Sequence, residues 1–234
     1  MKIGLFTDPH YSDKIIPSDN RYHSRSYDKI SEAMSYFKDE NVDLVVCLGD
    51  LTDDCIDINN NKEALEKISD LINSFGIKFY SLMGNHDYLS FTKEEFNEYT
   101  NGAYPPFSIE TEKSMLIFLD CNYEVGGKPY QKRNVDWINT FLPKEQLDNL
   151  KKKSKTTKDV YVFLHQNIDP TIEQNHVVKN AKEIRDILNN TNTKMVIQGH
   201  FHAGKDTLIG KIRYYTLAAM CVGENNPYEI LEIL

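Results

Sequence analysis

The alternation of short apolar runs with segments of helical periodicity is the feature that most constrains the fold of this chain. Six runs of about strand length are rich in β-branched or aromatic residues, and they span 2–7, 43–48, 77–83, 114–119, 159–164 and 194–198. Apolar residues recur on one helical face in 26–39, 62–75, 143–153 and 179–190. Strands that alternate with helices predict an α/β protein with a largely parallel sheet.

The C-terminal part of the chain departs from this alternation. Segments 205–208, 212–217 and 228–234 have strand character with no helical segment between them. We therefore expect an antiparallel portion there. No repeat, low-complexity stretch or linker divides the 234 residues, so the simpler prediction is a single domain over residues 1–234.

Residues with metal-binding side chains follow the predicted strands. In α/β sheets, ligands bind just beyond the carboxyl ends of the strands. Clustered carboxylates repel one another and buried imidazoles need partners, and a metal ion resolves both problems. Five segments bring such side chains to one region, and the residues are Asp8, His10, Asp50, Asn85, His86, Asp87, His165, His200 and His202.

The donor types indicate which metals would bind. Histidine nitrogens with Asp or Asn oxygens, and no thiolate, favour Mn²⁺, Fe²⁺ or Fe³⁺, Zn²⁺ or Co²⁺ over Ca²⁺ and disfavour a structural Zn²⁺ site. Seven of these nine side chains, all except His86 and Asp87, are candidate ligands, and seven exceed the needs of one catalytic ion with an open position. Two divalent ions with a bridging carboxylate would use all seven. Two ions about 3.5–4 Å apart clamp the attacking and leaving oxygens of a displacement at phosphorus.

The ordered motifs resemble those of the calcineurin-like metallophosphoesterases. The blocks that carry the resemblance are Asp8-x-His10, Gly49-Asp50, Gly84-Asn85-His86-Asp87, His165 and Gly199-His200-x-His202. A single short block is uninformative, but the ordered set is specific. The resemblance implies a four-layer α/β/β/α sandwich with mixed sheets. It also implies an enzyme that hydrolyses a phosphate ester or anhydride.

The resemblance further implies a role for each metal ligand. Asp8, His10 and His202 would hold the first metal. Asn85, His165 and His200 would hold the second metal, and Asp50 would bridge the two. A water or hydroxide that bridges both ions would then be the nucleophile.

Three neighbouring residues have implied roles outside the ligand set. His86 would face the scissile phosphate and donate to a phosphoryl oxygen or to the leaving group. Asp87 would hydrogen-bond the far ring nitrogen of His86 and orient it. Asp53 would either contact the metal ligands without binding a metal itself or be an ordinary loop or capping carboxylate.

Sequence details narrow the substrate class. Protein Ser/Thr phosphatases of the family typically read GDxxDRG and GNHE, whereas this chain reads GDLTDDC and GNHDY. The net charge of −8 argues against nucleic acid as a partner, so a nuclease acting on DNA or RNA is an alternative only. A non-catalytic scaffold with the same fold is a second alternative, and it would be expected to lack His86 or several ligands, which this chain keeps.

The segment NRYHSRSYDK, residues 20–29, resembles the arginine- and tyrosine-rich segment of the manganese-dependent ADP-ribose/CDP-alcohol diphosphatases. This similarity favours a small nucleotide-type substrate, either a nucleotide diphosphate or a cyclic nucleotide. Arg21 and Arg25 would share a helix face if the helix has begun there, and their guanidiniums suit a phosphate that the metals do not bind. Tyr22 or Tyr27 would stack on a base. An ordinary charged helix surface is the alternative.

Cysteine usage and the N-terminal sequence bear on location. The four cysteines, at positions 47, 55, 121 and 221, have no CxxC spacing, which predicts reduced thiols and a reducing compartment. The first apolar run is too short for a signal peptide, and no stretch reaches membrane-spanning length. We therefore expect a cytoplasmic protein with no membrane partner. The sequence leaves the oligomeric state open.

Overall fold

Two β-sheets form the centre of the structure, a computed structural model that describes residues 1–100 and 105–233. The strands are β1 (Lys2–Phe6), β2 (Leu44–Cys47), β3 (Phe79–Ser81), β4 (Phe107–Glu110), β5 (Ser114–Phe118), β6 (Asp159–Leu164), β7 (Thr193–Gln198), β8 (Lys205–Ile209), β9 (Ile212–Thr216) and β10 (Glu229–Glu232). The first sheet has the order β10-β1-β2-β3, and the second has the order β4-β5-β6-β7-β9-β8. Both sheets are mixed, because β10, β4 and β8 pair antiparallel with their neighbours while the other pairs are parallel.

Helices cover the outer faces of both sheets. They are α1 (Ser26–Asp39), α2 (Asn61–Ser74), α3 (Asn85–Ser90), α4 (Lys93–Thr100), α5 (Lys144–Lys153) and α6 (Ala181–Asn189), with short 3-10 helices at His23–Arg25 and Ile58–Asn60. Apolar residues of α1 and α2 pack on the first sheet, and those of α5 and α6 pack on the second. No helix in the described part of the chain is long and apolar enough to cross a membrane.

The alternation of side chains along β2 shows how the layers are separated. Successive residues of a strand point to opposite faces. Leu44 and Val46 pack in the cluster between the two sheets, together with Phe163 of the second sheet. Val45 and Cys47 pack instead in the cluster that includes α1 and α2. The resulting four layers, α/β/β/α with mixed sheets, confirm the predicted fold class.

Most predicted elements are present with small shifts at their ends. The segment 26–39 coincides with α1, and 159–164 coincides with β6. The predicted antiparallel portion is the hairpin of β8 and β9 together with β10, although Leu234, the end of the last predicted strand, lies outside the described residues.

Besides the short 3-10 helices, two α-helices and one strand of the described residues were not predicted. They are α3, α4 and β4. In α4 only Phe96 and Thr100 are buried, so the segment lacks an apolar stripe. In α3 the buried positions are mostly polar, because this helix begins inside the Gly84–Asp87 motif.

Candidate metal centre

The candidate metal centre lies where loops from the two sheets meet, at the carboxyl ends of their strands. The amide of Asp8 donates to the Gly49 carbonyl at 3.0 Å, and the amide of Gly199 donates to the His165 carbonyl at 3.0 Å. The amide of His200 donates to the Asp8 carboxylate at 3.0 Å, which links the two sheets. Residues far apart in sequence are therefore held at fixed relative positions.

Strained backbone marks these loops. A positive φ is uncommon for residues other than glycine, and such conformations concentrate at functional sites. The predicted ligands that adopt it are Asp8 at 50°, His10 at 46°, Asp50 at 51° and His200 at 65°. The hydrogen bonds between the loops maintain this unfavourable geometry.

The ligands predicted for the first metal lie together. The Nε2 atoms of His10 and His202 are 3.2 Å apart. The Asp8 Oδ1 atom is 3.4 Å from the Nε2 atom of His202, and the Asp50 Oδ2 atom is 3.6 Å from the Nε2 atom of His10. Ligand atoms held about 2.1 Å from one ion lie about 3 to 3.5 Å from one another, which is close to this arrangement.

The ligands predicted for the second metal share Asp50 with the first group. The Asp50 Oδ2 atom is 3.4 Å from the Nε2 atom of His165. One donor atom each from Asp50, His165 and His200 lie within 4.8 Å of one another, and all three side chains are buried. The Nδ1 atom of His165 is 2.9 Å from the Leu48 carbonyl, which accepts from it, so Nε2 is left as the coordinating atom. Asn85 is also buried, at the start of α3.

Unpaired buried atoms test whether these residues fit metal ions. Buried polar atoms almost always have a hydrogen-bond partner. In the described part of the chain, five atoms of the predicted ligands are buried without one. One of them, His10 Nδ1, faces the Asp53 carboxylate at 3.4 Å. The other four are Asp8 Oδ1, Asn85 Oδ1, His165 Nε2 and His200 Nε2. All four are atoms that coordinate metals, and they belong to both predicted ligand groups. The residues therefore fit a pair of divalent ions.

Electrostatics of the metal-free centre also fit cation binding. Burial alone would lower the pKa of His10, but Asp53, Asp8 and Asp50 raise it to about 9. Burial would likewise lower the pKa of His165, but the Asp50 carboxylate raises it to about 9. Burial lowers the pKa of His200 well below its usual range. The carboxylates thus favour positive charge at the positions of His10 and His165, and a metal ion supplies such charge.

Glycine at position 84 permits the close approach of α3 to the Asp50 carboxylate. A Cβ atom at this position would lie only 2.1 Å from the Asp50 Oδ1 atom. The same oxygen accepts the amide of His86 at 2.7 Å. A side chain at position 84 would therefore displace the predicted bridging ligand.

His86 is oriented by Asp53. The Asp53 Oδ2 atom lies 3.2 Å from the Nδ1 atom of His86 and 3.4 Å from the Nδ1 atom of His10. Burial would raise the pKa of Asp53, but the contacts with these two histidines hold it well below its usual range. The side chain of His86 is 22% exposed while its Nδ1 atom is buried, so Nε2 is the ring nitrogen that faces the pocket.

Asp87 occupies a different position from the one predicted. Its carboxylate accepts hydrogen bonds from the amides of Leu51, Thr52 and Gly84, and from the Thr52 hydroxyl, at 3.0 to 3.2 Å. Burial and the Asp50 charge raise the pKa of Asp87 to about 7, while these donors oppose the rise. The prediction that Asp87 accepts a hydrogen bond from His86 is therefore wrong. Asp87 instead joins the loops that carry Asp50 and Asn85, and Asp53 is the carboxylate that contacts His86.

The two arginines of segment 20–29 lie in different surroundings. A pocket of about 370 Å³ opens beside the centre and is lined by Arg21 together with Asp50, Asn85, His86, Trp137, His176, His200, Phe201, His202 and Ala203. Arg25 is not among the residues that line it, and its side chain is 56% exposed beside Glu224. The condition for a shared helix face is not met, because α1 begins only at Ser26 and Arg21 pairs in a bridge with Val222.

The two tyrosines predicted to stack on a base have other partners. The Arg25 guanidinium covers the Tyr22 ring, 5.0 Å from its centroid. Tyr27 packs against the core of the first sheet, with its ring 6.0 Å from that of Tyr11. Neither tyrosine lines the pocket.

Sequence reasoning missed three residues of this region. Cys221 places its sulfur within 4.8 Å of donor atoms of His10 and His202, so a thiol lies beside the predicted ligands. Its position follows the run 212–217, and the strand-end argument would have identified it. Trp137 and His176 lie in irregular segments of the pocket wall, where no strand or motif points to them.

Comparison with known proteins gives a family match. The profile of the calcineurin-like phosphoesterase family matches residues 1–204 of the chain. No curated protein sequence matches the chain significantly.

Solved structures share the fold. A dimetal phosphatase from Danio rerio has a TM-score of 0.81 at 17% identity, over 98% of this chain and 91% of the other. Purple acid phosphatase PPD1 from yellow lupin has a TM-score of 0.60 at 11% identity, over 92% and 43%. GAP50, the anchor in the inner membrane complex of Plasmodium, has a TM-score of 0.59 at 14% identity, over 92% and 70%. At these identities the similarity shows the fold alone.

Proposed function

This chain belongs to the calcineurin-like phosphoesterase family, and we propose that it is a dinuclear-metal hydrolase acting on a small nucleotide-type substrate, either a nucleotide diphosphate or a cyclic nucleotide. The observation that supports two ions most directly is the set of buried donor atoms without hydrogen-bond partners on both sides of Asp50. Mn, Fe, Zn and Co all suit these nitrogen and oxygen donors.

Two groups of side chains would hold the ions. Asp8, His10 and His202 form one group, Asn85, His165 and His200 form the other, and Asp50 contacts both. A dinuclear centre supplies an activated water as nucleophile and neutralises charge on the phosphoryl oxygens. The protein supplies the rigid loops that keep the ligands in place before any ion arrives.

His86 would act on the substrate rather than on a metal. Its buried Nδ1 atom faces the Asp53 carboxylate, and its other ring nitrogen faces the pocket. In that orientation the imidazole can donate a proton or a hydrogen bond to an oxygen of the scissile phosphate or of the leaving group. Asp53 holds the ring in this orientation.

Arg21 supports the assignment of a nucleotide-type substrate. Its guanidinium lines the same pocket as His86 and the ligands, 3.7 Å from Asp53. A planar guanidinium binds phosphate through paired hydrogen bonds. A second phosphate that the metals do not hold would find this partner within the pocket.

Metal dependence tests the proposed reaction. Hydrolysis of bis-p-nitrophenyl phosphate should stop on chelation and return with Mn²⁺ or Co²⁺, and Asp50→Ala should abolish it because this change removes a ligand from both ions. Full activity in a demonstrably metal-free sample would exclude this mechanism. No hydrolysis under any metal would instead favour a non-catalytic scaffold; GAP50, which shares the fold, is an anchor in the inner membrane complex of Plasmodium.

The two arginines provide a matched test of the substrate class. Arg21→Ala should raise KM for a nucleotide diphosphate several-fold, whereas Arg25→Ala should leave KM unchanged because Arg25 lies outside the pocket. Hydrolysis of bis-p-nitrophenyl phosphate, which has no second phosphate, should change little in either variant. Equal effects of the two substitutions would contradict a nucleotide diphosphate held by Arg21.

The proposed location is cytoplasmic. All four cysteines are free and buried, which accords with reduced thiols. The proposed partner is a small phosphorylated substrate rather than nucleic acid, since the chain carries a net charge of −8. A single domain of residues 1–234 remains part of the proposal.

A further inference from the structure

Trp137, the only tryptophan of the sequence, lies on the wall of the metal-site pocket. It is 38% exposed, although a large aromatic ring gains free energy from burial. Its loop is nevertheless well held. The Tyr130 hydroxyl donates to the carbonyl of Asp136, and the Asn139 side chain donates to the Asp136 carboxylate at 2.7 Å. A fixed loop thus presents an indole whose surface remains partly open to the pocket.

The Trp137 ring packs with two further aromatic rings beside the predicted metal ligand His200. The ring centroids of Trp137 and His176 are 5.5 Å apart, and those of His176 and Phe201 are 5.3 Å apart. The rings of Trp137 and His176 lie 5.9 Å and 5.1 Å from that of His200. These distances are typical of aromatic rings in contact. We call Trp137, His176 and Phe201 the aromatic wall.

His176 is held in the wall by backbone bonds. Its amide donates to the Glu173 carbonyl at 2.9 Å, and its carbonyl accepts the amide of Asn167 at 3.3 Å. Asn167 is itself fixed, because its side chain donates to the Gly199 carbonyl in the loop of the metal ligand His200. The wall is therefore built on the same framework as the centre.

The pocket lining has two chemically distinct parts. The metal ligands, His86 and Arg21 offer charged or hydrogen-bonding groups, which suit phosphate oxygens. The aromatic wall offers flat ring faces instead, of which those of Trp137 and Phe201 are apolar, and Ala203 adds a methyl group. A substrate that uses both parts carries a planar ring close to its phosphate, as a nucleoside phosphate does.

We propose that the aromatic wall is the seat of the substrate's nucleobase, with Trp137 as its principal stacking surface. This inference rests on the proposed hydrolysis of a nucleotide-type substrate. Every base has a π-face, so stacking recognises a base without selecting one base strictly. The seat therefore predicts acceptance of several nucleotides, with preference for the larger purine ring. The tyrosines of segment 20–29 have no part in it.

Intrinsic fluorescence gives a direct test, because only one residue of the chain is a tryptophan. The manganese-loaded protein would be titrated with α,β-methylene-ADP, which cannot be cleaved at its bridge, and with methylenediphosphonate, which has the same bridge and no base. The base-bearing probe should quench Trp137 emission and bind about tenfold more tightly, as expected for one stacked base. Equal affinities, or binding without a change in emission, would overturn the seat.

Substitutions distinguish a seat from a ring that merely shields His200. The quantity to compare is kcat/KM for a nucleotide diphosphate divided by kcat/KM for a base-free alkyl diphosphate ester. Trp137→Leu should lower this ratio about tenfold, and Trp137→Phe should lower it less. Ile138→Ala is the matched control, since Ile138 is 39% exposed in the same turn and does not line the pocket, so the ratio should not change. A shield would lower both activities equally in Trp137→Leu, with loss of manganese on elemental analysis.

The outcomes also separate the seat from the proposed function. Metal-dependent hydrolysis without preference for base-bearing substrates would refute the seat alone. Tight, quenching binding of α,β-methylene-ADP without hydrolysis of any phosphate ester would refute the proposed function and support the seat.

Discussion

Asp53 and Asp87 show how two carboxylates in neighbouring loops take different roles. Both are buried, so neither residue type nor burial separates them. Their partners do. Asp53 faces the ring nitrogens of His10 and His86, whereas Asp87 accepts four backbone and hydroxyl donors. Asp53 therefore orients histidines of the centre, whereas Asp87 stabilises the loops that carry the predicted ligands.

Substitution of each carboxylate by its amide tests this division. Asp53→Asn should lower kcat about 10- to 100-fold with two metal ions retained, because a neutral amide replaces the charged carboxylate that orients His86. Asp87→Asn should instead destabilise the fold by about 1–3 kcal/mol. The NH₂ group of asparagine is a donor, and it would face backbone amides that need an acceptor. Turnover, elemental analysis and denaturant unfolding measure these effects. A large loss of kcat in Asp87→Asn at unchanged stability would restore Asp87 as the partner of His86.

Metal affinity should rise with pH. The pKa of His10 and of His165 in the folded state is about 9, above the ordinary value of 6.5. Their protonation therefore stabilises the folded protein without metal. This stabilisation is complete below pH 6.5 and is lost as the pH rises through about 9. An ion must displace these protons. Binding at pH 7 should therefore release about two protons, and affinity should increase with pH until about pH 9. Calorimetry in buffers of different ionisation enthalpy counts the protons, and an affinity independent of pH would contradict the two shifts.

Elements with a regular apolar pattern were predictable from the sequence, and those that build the site were less so. Helix α1 and strand β6 bury one face or both, so their periodicity reports their fold. Helix α3 buries the polar residues Asn85 and Asp87 beside the candidate centre, so it lacks the apolar stripe that marks a helix. Predicted ligands came from strand ends, but the partner of His86 depended on side-chain packing that no spacing encodes.

The junction between β3 and α3 offers a prediction at the scale of the element. Gly84→Ala should abolish tight metal binding, because its Cβ atom would lie 2.1 Å from the Asp50 Oδ1 atom. Gly76→Ala is the control. Gly76 has a φ of +70° with no atom within 4 Å of an added Cβ, so alanine there should cost about 1–2 kcal/mol of stability from backbone strain and leave the ions bound. Metal content and chemical unfolding of both variants test this, and normal metal content in Gly84→Ala would show that the loop can adjust.

Across the whole molecule, the candidate centre joins the two sheets. The loops after β1, β2 and β3 of the first sheet carry Asp8, His10, Asp50 and Asn85. The loops after β6 and β7 of the second sheet carry His165, His200 and His202. Each predicted ion therefore takes ligands from both sheets. Metal occupancy should therefore bear on the stability of the whole fold.

Thermal unfolding tests this coupling. An ion at about 100 times its dissociation constant stabilises the folded state by about 2.7 kcal/mol, so two ions add about 5 kcal/mol. For a chain of this size each kcal/mol moves the midpoint by about 2–4 °C, and saturating Mn²⁺ should therefore raise it by about 10–20 °C over the chelated protein. His202→Ala removes one ligand of one ion, so it should reduce the Mn²⁺-induced rise of the midpoint by about half. Arg25→Ala is the control and should keep the full rise, because Arg25 lies outside the centre. A midpoint that does not respond to chelation would mean that the ions do not join the sheets, since ligands from both sheets cannot hold an ion in the unfolded chain.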